Sequence, residues 1–253
     1  MAPGCIHIWC VNGEDIDDPA LLRQGASDLT APEVARAERF VKRGDRHHFI
    51  IGRWMLRHLL GEYSLAVPRE ITFALNEHGR PELAGLNRLR IQFNLSHTDG
   101  LVACAFTSGT AIGIDVECMR QSSFDMEVAR NYFSAAACRD ILHAPGGSRT
   151  ERFFEYWVLM EAYAKARGTG LVHTEGSFVF EKGDRSRIRF IPSQARDRTV
   201  WNFWLAAPAL GYRMAVAVAA KPSRSPIVRR LRPDGSYNAT FRTLASTEAF
   251  RSI

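Results

Sequence analysis

Two acidic residues near the middle of the chain are the first candidates for chemistry. Asp115 and Glu117 alternate with apolar residues in the segment Ile112–Glu117. In a β-strand, residues two apart point to the same face, with Cα atoms roughly 7 Å apart. Neighbouring carboxylates repel each other, and a hard divalent cation such as Mg²⁺ removes that repulsion. A half-exposed strand with polar residues outward has the same spacing, and spacing alone favours that simpler interpretation.

A second set of polar residues has helical spacing. Trp157, Glu161 and Lys165 are four residues apart, so a helix places them in one stripe. Taken alone, Trp157 would pack in a core, and Glu161 with Lys165 would form an exposed ion pair worth about a few tenths of a kcal/mol. If the stripe faces Asp115 and Glu117, three carboxylates with phosphate oxygens and water would form a magnesium-type site. Lys165 would then lie one turn beyond Glu161, placed to contact a phosphate.

The segment Asn94–Gly100 contains Ser96, His97 and Asp99 in close succession. A hydrolase triad is an unsuitable interpretation, because triad members meet in space rather than in sequence and Gly-x-Ser-x-Gly is absent. We interpret the segment as a turn that offers the hydroxyl of Ser96 and the imidazole of His97 to a phosphate. An ordinary turn with local backbone hydrogen bonds remains the alternative.

Nucleotide-binding glycine motifs are absent from the sequence, which has neither a P-loop nor Gly-x-Gly-x-x-Gly. A nucleoside phosphate would therefore need separate basic side chains, and arginine suits this task because it keeps its charge and binds phosphate through two hydrogen bonds. The candidates are Arg36, Arg53, Arg80, His97 and Lys165.

Periodicity predicts the elements that position these residues. Helices are expected over 32–41, 46–63 and 134–142, and another from a capping box at Ser148–Glu151 to Gly168. Strands are expected over 5–11, 71–75, 101–106, 111–117, 177–180, 187–191, 200–205 and 212–219. The strands 101–106 and 111–117 read as a hairpin. The order of elements predicts an α+β chain made of two similar halves.

Composition and charge restrict the class of protein. The 253 residues are 46% hydrophobic and 24% charged, which is typical of a globular chain and excludes disorder or a membrane span as the main structure. Residues 221–253 carry +5 of the net charge of +6. We interpret this basic tail as a solvated, partly disordered end; a contact strip for an acidic protein or nucleic acid is the alternative. The nearly neutral body disfavours nucleic acid.

The five cysteines and the N-terminus bear on location. The cysteine count is odd, Cys-x-x-Cys is absent, and no basic segment precedes an apolar core at the N-terminus. We therefore expect reduced thiols, no signal peptide, no membrane anchor and a cytoplasmic protein.

Together these motifs resemble the large, surfactin-type class of 4′-phosphopantetheinyl transferases. The resemblance rests on Gly113–Glu117 followed by Trp157-x-x-x-Glu161-Ala-x-x-Lys165. Three earlier segments also match in order, namely Gly52-Arg53-x-x-x-Arg57, His78-Gly79-Arg80-Pro81 and Asn94-Leu-Ser96-His97. The similarity runs from about residue 39 to 170 and extends more weakly to 219.

The resemblance implies a fold and a reaction. The fold is a pseudo-dimer of two similar α+β halves with the active site at their interface, and we place the halves at 1–112 and 113–220, followed by the basic tail at 221–253. The reaction moves the phosphopantetheine arm of coenzyme A onto a serine of an acyl or peptidyl carrier protein and requires magnesium. We expect a monomer, because both halves belong to one chain.

The resemblance also implies roles for individual residues. Asp115, Glu117 and Glu161 would hold the metal on the diphosphate, and Asp115 and Glu161 are counted among the catalytic residues. Glu161 would also be the base for the carrier serine, and Lys165 would neutralise the phosphate in transfer or protonate the leaving group. The nucleotide phosphates would contact Arg53, Arg80, Ser96, His97 and Lys165.

Two positions depart from the family pattern. The family usually has lysine immediately before the helical glutamate, where this chain has Met160, and Glu33 lies where the family often has a basic residue. A lost cation at the phosphate site would lower the rate. The alternative function is therefore a degenerate, non-catalytic protein that binds coenzyme A or a carrier. Fatty acid, polyketide and nonribosomal peptide pathways all remain possible sources of the carrier.

Overall fold

A computed structural model describes most of the chain. The described residues are 4–76, 79–84, 90–120, 124–168, 170, 176–181, 184–192, 199–219, 226–232, 237–239 and 242–246. They form two compact units, one made of Met1–Gly109 with Arg224–Thr240 and the other of Thr110–Ser223 with Phe241–Ile253. Both units combine helices with sheets, which confirms the prediction of a mixed α+β protein.

The first unit packs three helices with a five-stranded sheet. The helices are α1 (Pro19–Ser27), α2 (Ala31–Glu38) and α3 (Arg43–Ser64). The sheet has the order β12-β11-β1-β5-β4, formed by β1 (His7–Asn12), β4 (Ile91–Thr98), β5 (Leu101–Ser108), β11 (Ile227–Leu231) and β12 (Tyr237–Ala239). A separate pair is formed by β2 (Phe73–Leu75) and β3 (Pro81–Leu83). The apolar face of α3 packs on the sheet through Trp54, Leu56 and Leu59.

The second unit packs its longest described helix on a six-stranded sheet. The helices are α4 (Met126–Tyr132), α5 (Ala135–His143) and α6 (Arg149–Arg167). The sheet has the order β6-β10-β9-β13-β8-β7, formed by β6 (Ile112–Cys118), β7 (Gly176–Glu181), β8 (Asp184–Pro192), β9 (Asn202–Ala207), β10 (Tyr212–Val218) and β13 (Arg242–Ser246). The core between α6 and this sheet includes Val158, Leu159, Ala162, Phe203 and Ala215. Of the helices in the described ranges, none is long and apolar enough to cross a bilayer.

The predicted hairpin of β5 and β6 is wrong. β5 pairs with β1 and β4 in the first unit, whereas β6 pairs with β10 in the second. The turn residues around Gly109 mark the passage from one unit to the other. The hairpin instead joins β4 to β5 through a tight turn at Asp99 and Gly100. The predicted turn over Asn94–Gly100 is accordingly a strand as far as Thr98.

The basic tail also differs from the prediction of a solvated end. β11 adds to β1 as a parallel strand, β12 continues that sheet, and β13 lies between β8 and β9 in the other sheet. Arg230 donates to Asp15 at 2.9 Å, and the Arg229 guanidinium lies over the Trp9 ring. Within the described parts of this segment (226–232, 237–239 and 242–246), strand pairing therefore places the chain in the two sheets.

Helix ends were predicted with mixed success. Gly168 ends α6 in the left-handed conformation (φ 71°), as expected, since glycine adopts it without strain. The capping box expected at Ser148 does not form, because the Ser148 hydroxyl donates to the Pro145 carbonyl oxygen instead. A capping box is present at α2, where Glu33 accepts from the Thr30 backbone N–H at 2.9 Å. Helices α1 and α4 were not predicted.

Candidate active site

Close packing of β6 against α6 brings the acidic strand to the polar stripe of the helix. A Cβ atom added to Gly113 would collide with the carbonyl oxygen of Ala162 and the amide nitrogen of Ala166. Only glycine therefore permits this approach of strand and helix. The neighbouring strand β10 presents Ala215 and Ala217 to the same core, which keeps the sheet surface shallow under the helix.

Asp115 and Lys165 form a close ion pair between β6 and α6. Lys165 Nζ donates to Asp115 Oδ1 at 2.6 Å, and the Asp115 side chain is 5% exposed while the Lys165 side chain is 30% exposed. A buried carboxylate needs a charged or hydrogen-bonding partner, because burial of an isolated charge is costly. Lys165 supplies that partner from the last turns of α6.

Glu117 lies two residues further along β6 and has a different partner. The indole N–H of Trp157 donates to Glu117 Oε1 at 3.2 Å. The Trp157 ring is itself held by a stacking contact with Phe153 and an edge contact with Tyr132. Trp157 therefore has a defined polar role, whereas the sequence by itself favoured simple core packing.

The acids influence each other electrostatically. Burial, together with the negative charges of Asp115 and Glu161, raises the pKa of Glu117 to about 7, although the Trp157 hydrogen bond and the Lys165 charge oppose this shift. Burial likewise raises the pKa of Glu161, with Asp115 adding to the effect and Lys165 opposing it. The three predicted acids therefore lie within electrostatic reach of one another, and Lys165 balances part of their charge.

A magnesium ion is chemically compatible with this set of side chains. Carboxylate oxygens are the ligands that Mg²⁺ prefers, and a cation would relieve the repulsion just described. Across the described ranges, no three His, Cys, Asp or Glu side chains are arranged to hold a metal ion. Asp115 Oδ1 is instead in contact with Lys165 Nζ. The donor set fits magnesium, provided that these side chains reorient.

Met160 does not face the acids. Its side chain is 3% exposed and belongs to the apolar core of the second unit. Tyr132, Phe133, Tyr156 and Phe178 line the same small cavity as Met160. A methionine at this position is therefore explained by core packing.

Arg213 is a residue of this region that the sequence reading missed. It lies on β10 opposite Glu117 and forms ion pairs with Glu151 at 3.0 Å and Glu155 at 3.5 Å. These contacts tie the first turns of α6 to the sheet and so help fix the direction of the helix. The available signal was a single arginine within the apolar run Tyr212–Val218.

In the first unit, Arg53 is buried in a cluster of charged and aromatic groups. Its Nε lies 3.7 Å from Glu33 Oε1, and its guanidinium faces the rings of Phe49 and Phe73. Arg53 Nη1 is buried, and the described part of the chain gives it no hydrogen-bond acceptor. A phosphate oxygen would provide such an acceptor. Arg36, another basic candidate, is exposed, and its guanidinium lies 5.3 Å from the centroid of the same Phe49 ring.

Glu33 has a structural role that explains why it is acidic. Besides capping α2, Glu33 Oε2 accepts from Arg57 Nη2 at 2.8 Å. Arg57 is 1% exposed and also donates to the carbonyl oxygens of Pro68 and Ile71. A basic residue at position 33 would leave Arg57 buried beside a like charge, which is strongly unfavourable.

Arg80 is half-buried and forms hydrogen bonds within the first unit. Its Nη2 donates to the Phe93 carbonyl oxygen at 2.7 Å, and its backbone N–H donates to Asn76 Oδ1 at 2.9 Å. Burial lowers the pKa of Arg80, and Glu82 opposes this effect. The adjacent His78, which belongs to the matching motif, lies outside the described residues. The Arg80 role at a phosphate stays a prediction.

Ser96 and His97 are neighbours on β4 and therefore project to opposite faces of the strand. Ser96 is buried, whereas His97 is exposed and contacts α3 through a ring contact with His48. The structure thus does not bring the Ser96 hydroxyl and the His97 imidazole to one side of the sheet. Of the two, His97 is the side chain accessible to a ligand.

Two family models match the chain. The model described as "4′-phosphopantetheinyl transferase superfamily" matches residues 111–217, which include Asp115, Glu117, Glu161 and Lys165. The model described as "4′-phosphopantetheinyl transferase, N-terminal" matches residues 20–108. The two matches thus lie in different units of the structure and cover the candidate residues of each.

Individual relatives carry the same description. The 4′-phosphopantetheinyl transferase HetI of a Nostoc strain is 33% identical over 172 residues, which are 67% of this chain and 71% of HetI. The transferase gsp of Aneurinibacillus migulanus is 30% identical over 178 residues, 70% of this chain and 72% of gsp. The transferase Sfp of Bacillus subtilis is 27% identical over 203 residues, 76% of this chain and 83% of Sfp.

Proposed function

This chain is an enzyme of the 4′-phosphopantetheinyl transferase superfamily, and from that premise we propose that it transfers phosphopantetheine from coenzyme A to a carrier-protein serine with Mg²⁺. The transferase class itself follows from the family membership. The donor, the acceptor, the metal and the residue roles are the proposal. Its main support is the cluster of Asp115, Glu117 and Glu161 with Lys165, in which three carboxyl groups and one ammonium group lie within electrostatic reach of one another.

The proposed reaction is a phosphoryl-type transfer. The serine hydroxyl oxygen bonds to the phosphorus that carries the pantetheine arm, and the bond from that phosphorus to the bridging oxygen of the diphosphate breaks. Adenosine 3′,5′-bisphosphate leaves. Catalysis of such reactions depends mainly on positioning and on neutralisation of charge.

Each side chain of the second unit has a role in this proposal. Asp115, Glu117 and Glu161 would hold Mg²⁺, which when bound neutralises charge on the diphosphate. Glu161 accepts the proton of the serine hydroxyl. Lys165 leaves Asp115 and donates to the phosphate in transfer or to the leaving oxygen. Trp157 keeps Glu117 oriented through its indole N–H.

The nucleotide part of coenzyme A would use basic groups of the first unit. Arg53 offers its buried Nη1, and His97 offers an exposed imidazole. Arg80 and Ser96 complete the predicted set. Arg80 also donates to the Phe93 carbonyl oxygen, and the Ser96 side chain is buried. Cytoplasmic location and a monomeric state also remain predictions.

A non-catalytic binding protein is the alternative that Met160 suggested. The position of Met160 in the apolar core weakens that motive, because core packing accounts for a methionine there. Membership of an enzyme family points the same way. We therefore favour turnover over binding alone.

Mass spectrometry of a carrier protein tests the proposal. The protein is incubated with coenzyme A, Mg²⁺ and a panel of apo carriers from fatty acid, polyketide and nonribosomal peptide systems. Addition of one phosphopantetheine group to at least one carrier is expected, and the preferred carrier indicates the pathway. Chelation of Mg²⁺ should stop the reaction. An unmodified panel, with coenzyme A binding retained, would instead select the binding-only alternative.

A further inference from the structure

The imidazole rings of His48 and His97 stack on each other in the first unit. Their centroids are 5.5 Å apart and their planes differ by 15°. His48 lies in the second turn of α3 and is 7% exposed, whereas His97 lies near the end of β4 and is exposed. The buried ring therefore forms a support for the exposed one.

A stacking partner restricts the ring of His97. The torsion that rotates an imidazole about its Cβ–Cγ bond is broad, so an isolated exposed histidine samples many ring orientations. Contact with the flat face of His48 holds the plane of the ring, and with it the directions of both nitrogen atoms. A ligand that bonds to His97 then loses less rotational freedom on binding.

Several charged groups surround His48. Asp45 and His47 belong to α3 itself, Asp17 ends the 3₁₀ turn Gly13–Asp17, and Asp99 lies in the turn after β4. Burial lowers the pKa of His48, His47 adds to this effect, and the three aspartates oppose it. In the free protein the imidazole of His48 is therefore mainly uncharged at neutral and higher pH, and it gains a proton as the pH falls.

We propose that His48 positions His97 for a phosphate group of coenzyme A and makes the affinity for that phosphate increase as the pH falls. The choice of ligand rests on the proposed function. A phosphate at His97 favours positive charge in its surroundings, so the bound protein holds a proton on His48 at a higher pH than the free protein does. Binding then takes up a proton, and affinity rises as the pH decreases through that interval.

The test is calorimetric titration with coenzyme A and with adenosine 3′,5′-bisphosphate between about pH 6.5 and 8.5. Four proteins are compared: wild type, His48→Phe, His48→Ala and His58→Phe. Phenylalanine keeps a stacking ring without a titratable nitrogen, and alanine removes the ring. His58 is a matched control, because it lies on the same helix and stacks on Trp54 at 5.3 Å. Thermal melting establishes that each variant is folded.

The affinity ratio of wild type to His48→Phe is the informative quantity, since titration of the ligand phosphate affects both proteins equally. We expect this ratio to be near one at the high end of the pH range and about threefold or more at the low end. If ligand binding raises the pKa of His48 by one unit, the affinity can change by at most about tenfold. His48→Ala should bind about threefold or more weakly than His48→Phe even at high pH. His58→Phe should follow wild type.

A ratio of wild type to His48→Phe that stays constant with pH would overturn the proposal. Equal affinities of His48→Phe and His48→Ala at high pH, or no binding of either probe by wild type, would overturn it as well. The transfer assay on carriers decides the proposed function separately. Binding with the expected pH dependence but without transfer would refute the proposed function and leave this inference standing.

Discussion

Lys165 Nζ donates a hydrogen bond to Asp115 Oδ1 across 2.6 Å, and the two residues are 50 positions apart in the chain. Asp115 lies in the middle of β6, and Lys165 lies in the C-terminal part of α6. This pair neutralises a buried carboxylate. A cation that binds to Asp115 would release the ammonium group of Lys165 toward a phosphate, which links metal binding to phosphate contact.

Lys165→Met should reduce transfer by roughly 10²-fold or more, since the loss of one preorganised charge donor has effects of this order. Initial rates with saturating coenzyme A and Mg²⁺ measure the effect. Lys42→Met is the control, because Lys42 is an exposed lysine at the start of α3 and should leave the rate unchanged. Comparable rates in the two variants would show that Lys165 only balances Asp115 in the fold.

Trp157→Phe should raise the Mg²⁺ concentration needed for half-maximal transfer by about tenfold. The variant keeps an aromatic ring but loses the N–H that bonds to Glu117, and a hydrogen bond to a charged group is worth about 1.5–3 kcal/mol. Trp201→Phe is the control, since the described residues offer the Trp201 N–H no acceptor. An unchanged Mg²⁺ requirement in Trp157→Phe would mean that Glu117 does not contact the metal.

Met160→Lys should destabilise the protein by roughly 3 kcal/mol rather than improve catalysis. The change places a charge in the apolar core of the second unit, and burial of a charge in apolar surroundings is costly. Thermal and denaturant unfolding measure the effect, with Leu142→Lys at an exposed position of α5 as control. Normal stability together with faster transfer would show that residue 160 reaches the phosphate after all.

His7→Asn should make the melting temperature less sensitive to acid. Burial lowers the pKa of His7 in the folded protein, with Arg229 adding to the effect. The unfolded chain therefore binds more protons, and the stability contributed by the neutral ring is present above the unfolded pKa of about 6.5 and is lost as the pH falls below it. Asparagine can keep a polar contact with the Tyr63 hydroxyl without titrating.

Melting curves between about pH 7.5 and 5.5 measure this difference, which spans the unfolded pKa of histidine. Wild type should lose roughly 1–3 °C more than His7→Asn over this range, since about 1 kcal/mol corresponds to about 2–4 °C for a protein of this size. Parallel losses in the two proteins would show that other groups dominate the acid sensitivity.

Local periodicity was enough to predict the two elements that carry the acids. Alternating apolar residues identified β6, and the four-residue interval identified the stripe on α6. The pairing of β6 could not be predicted in this way, because its partner β10 lies about a hundred residues later and turn residues near Gly109 suggested a local hairpin. Strand pairing over such distances depends on tertiary packing that a short window does not contain.

Individual side-chain roles were harder to predict than the elements. Whether Met160 faces a phosphate or a core depends on how α6 is rotated on its sheet, and Gly113 and Arg213 set that rotation through non-local contacts. Ser96 and His97 were assigned to a turn, which could present both side chains, whereas the strand found there sends them to opposite faces. The basic tail was interpreted from its charge, whereas its described residues 226–232, 237–239 and 242–246 are placed by strand pairing.

Single-turnover transfer to a carrier by Asp115→Asn and Glu161→Gln tests the central claim most directly. Both substitutions keep the size of the side chain and remove its negative charge. We expect wild type to load the carrier with phosphopantetheine and each variant to lose at least about 10²-fold in rate at saturating coenzyme A. Loading by both variants at rates close to wild type, in folded protein, would contradict the assignment of the metal and the base to these acids.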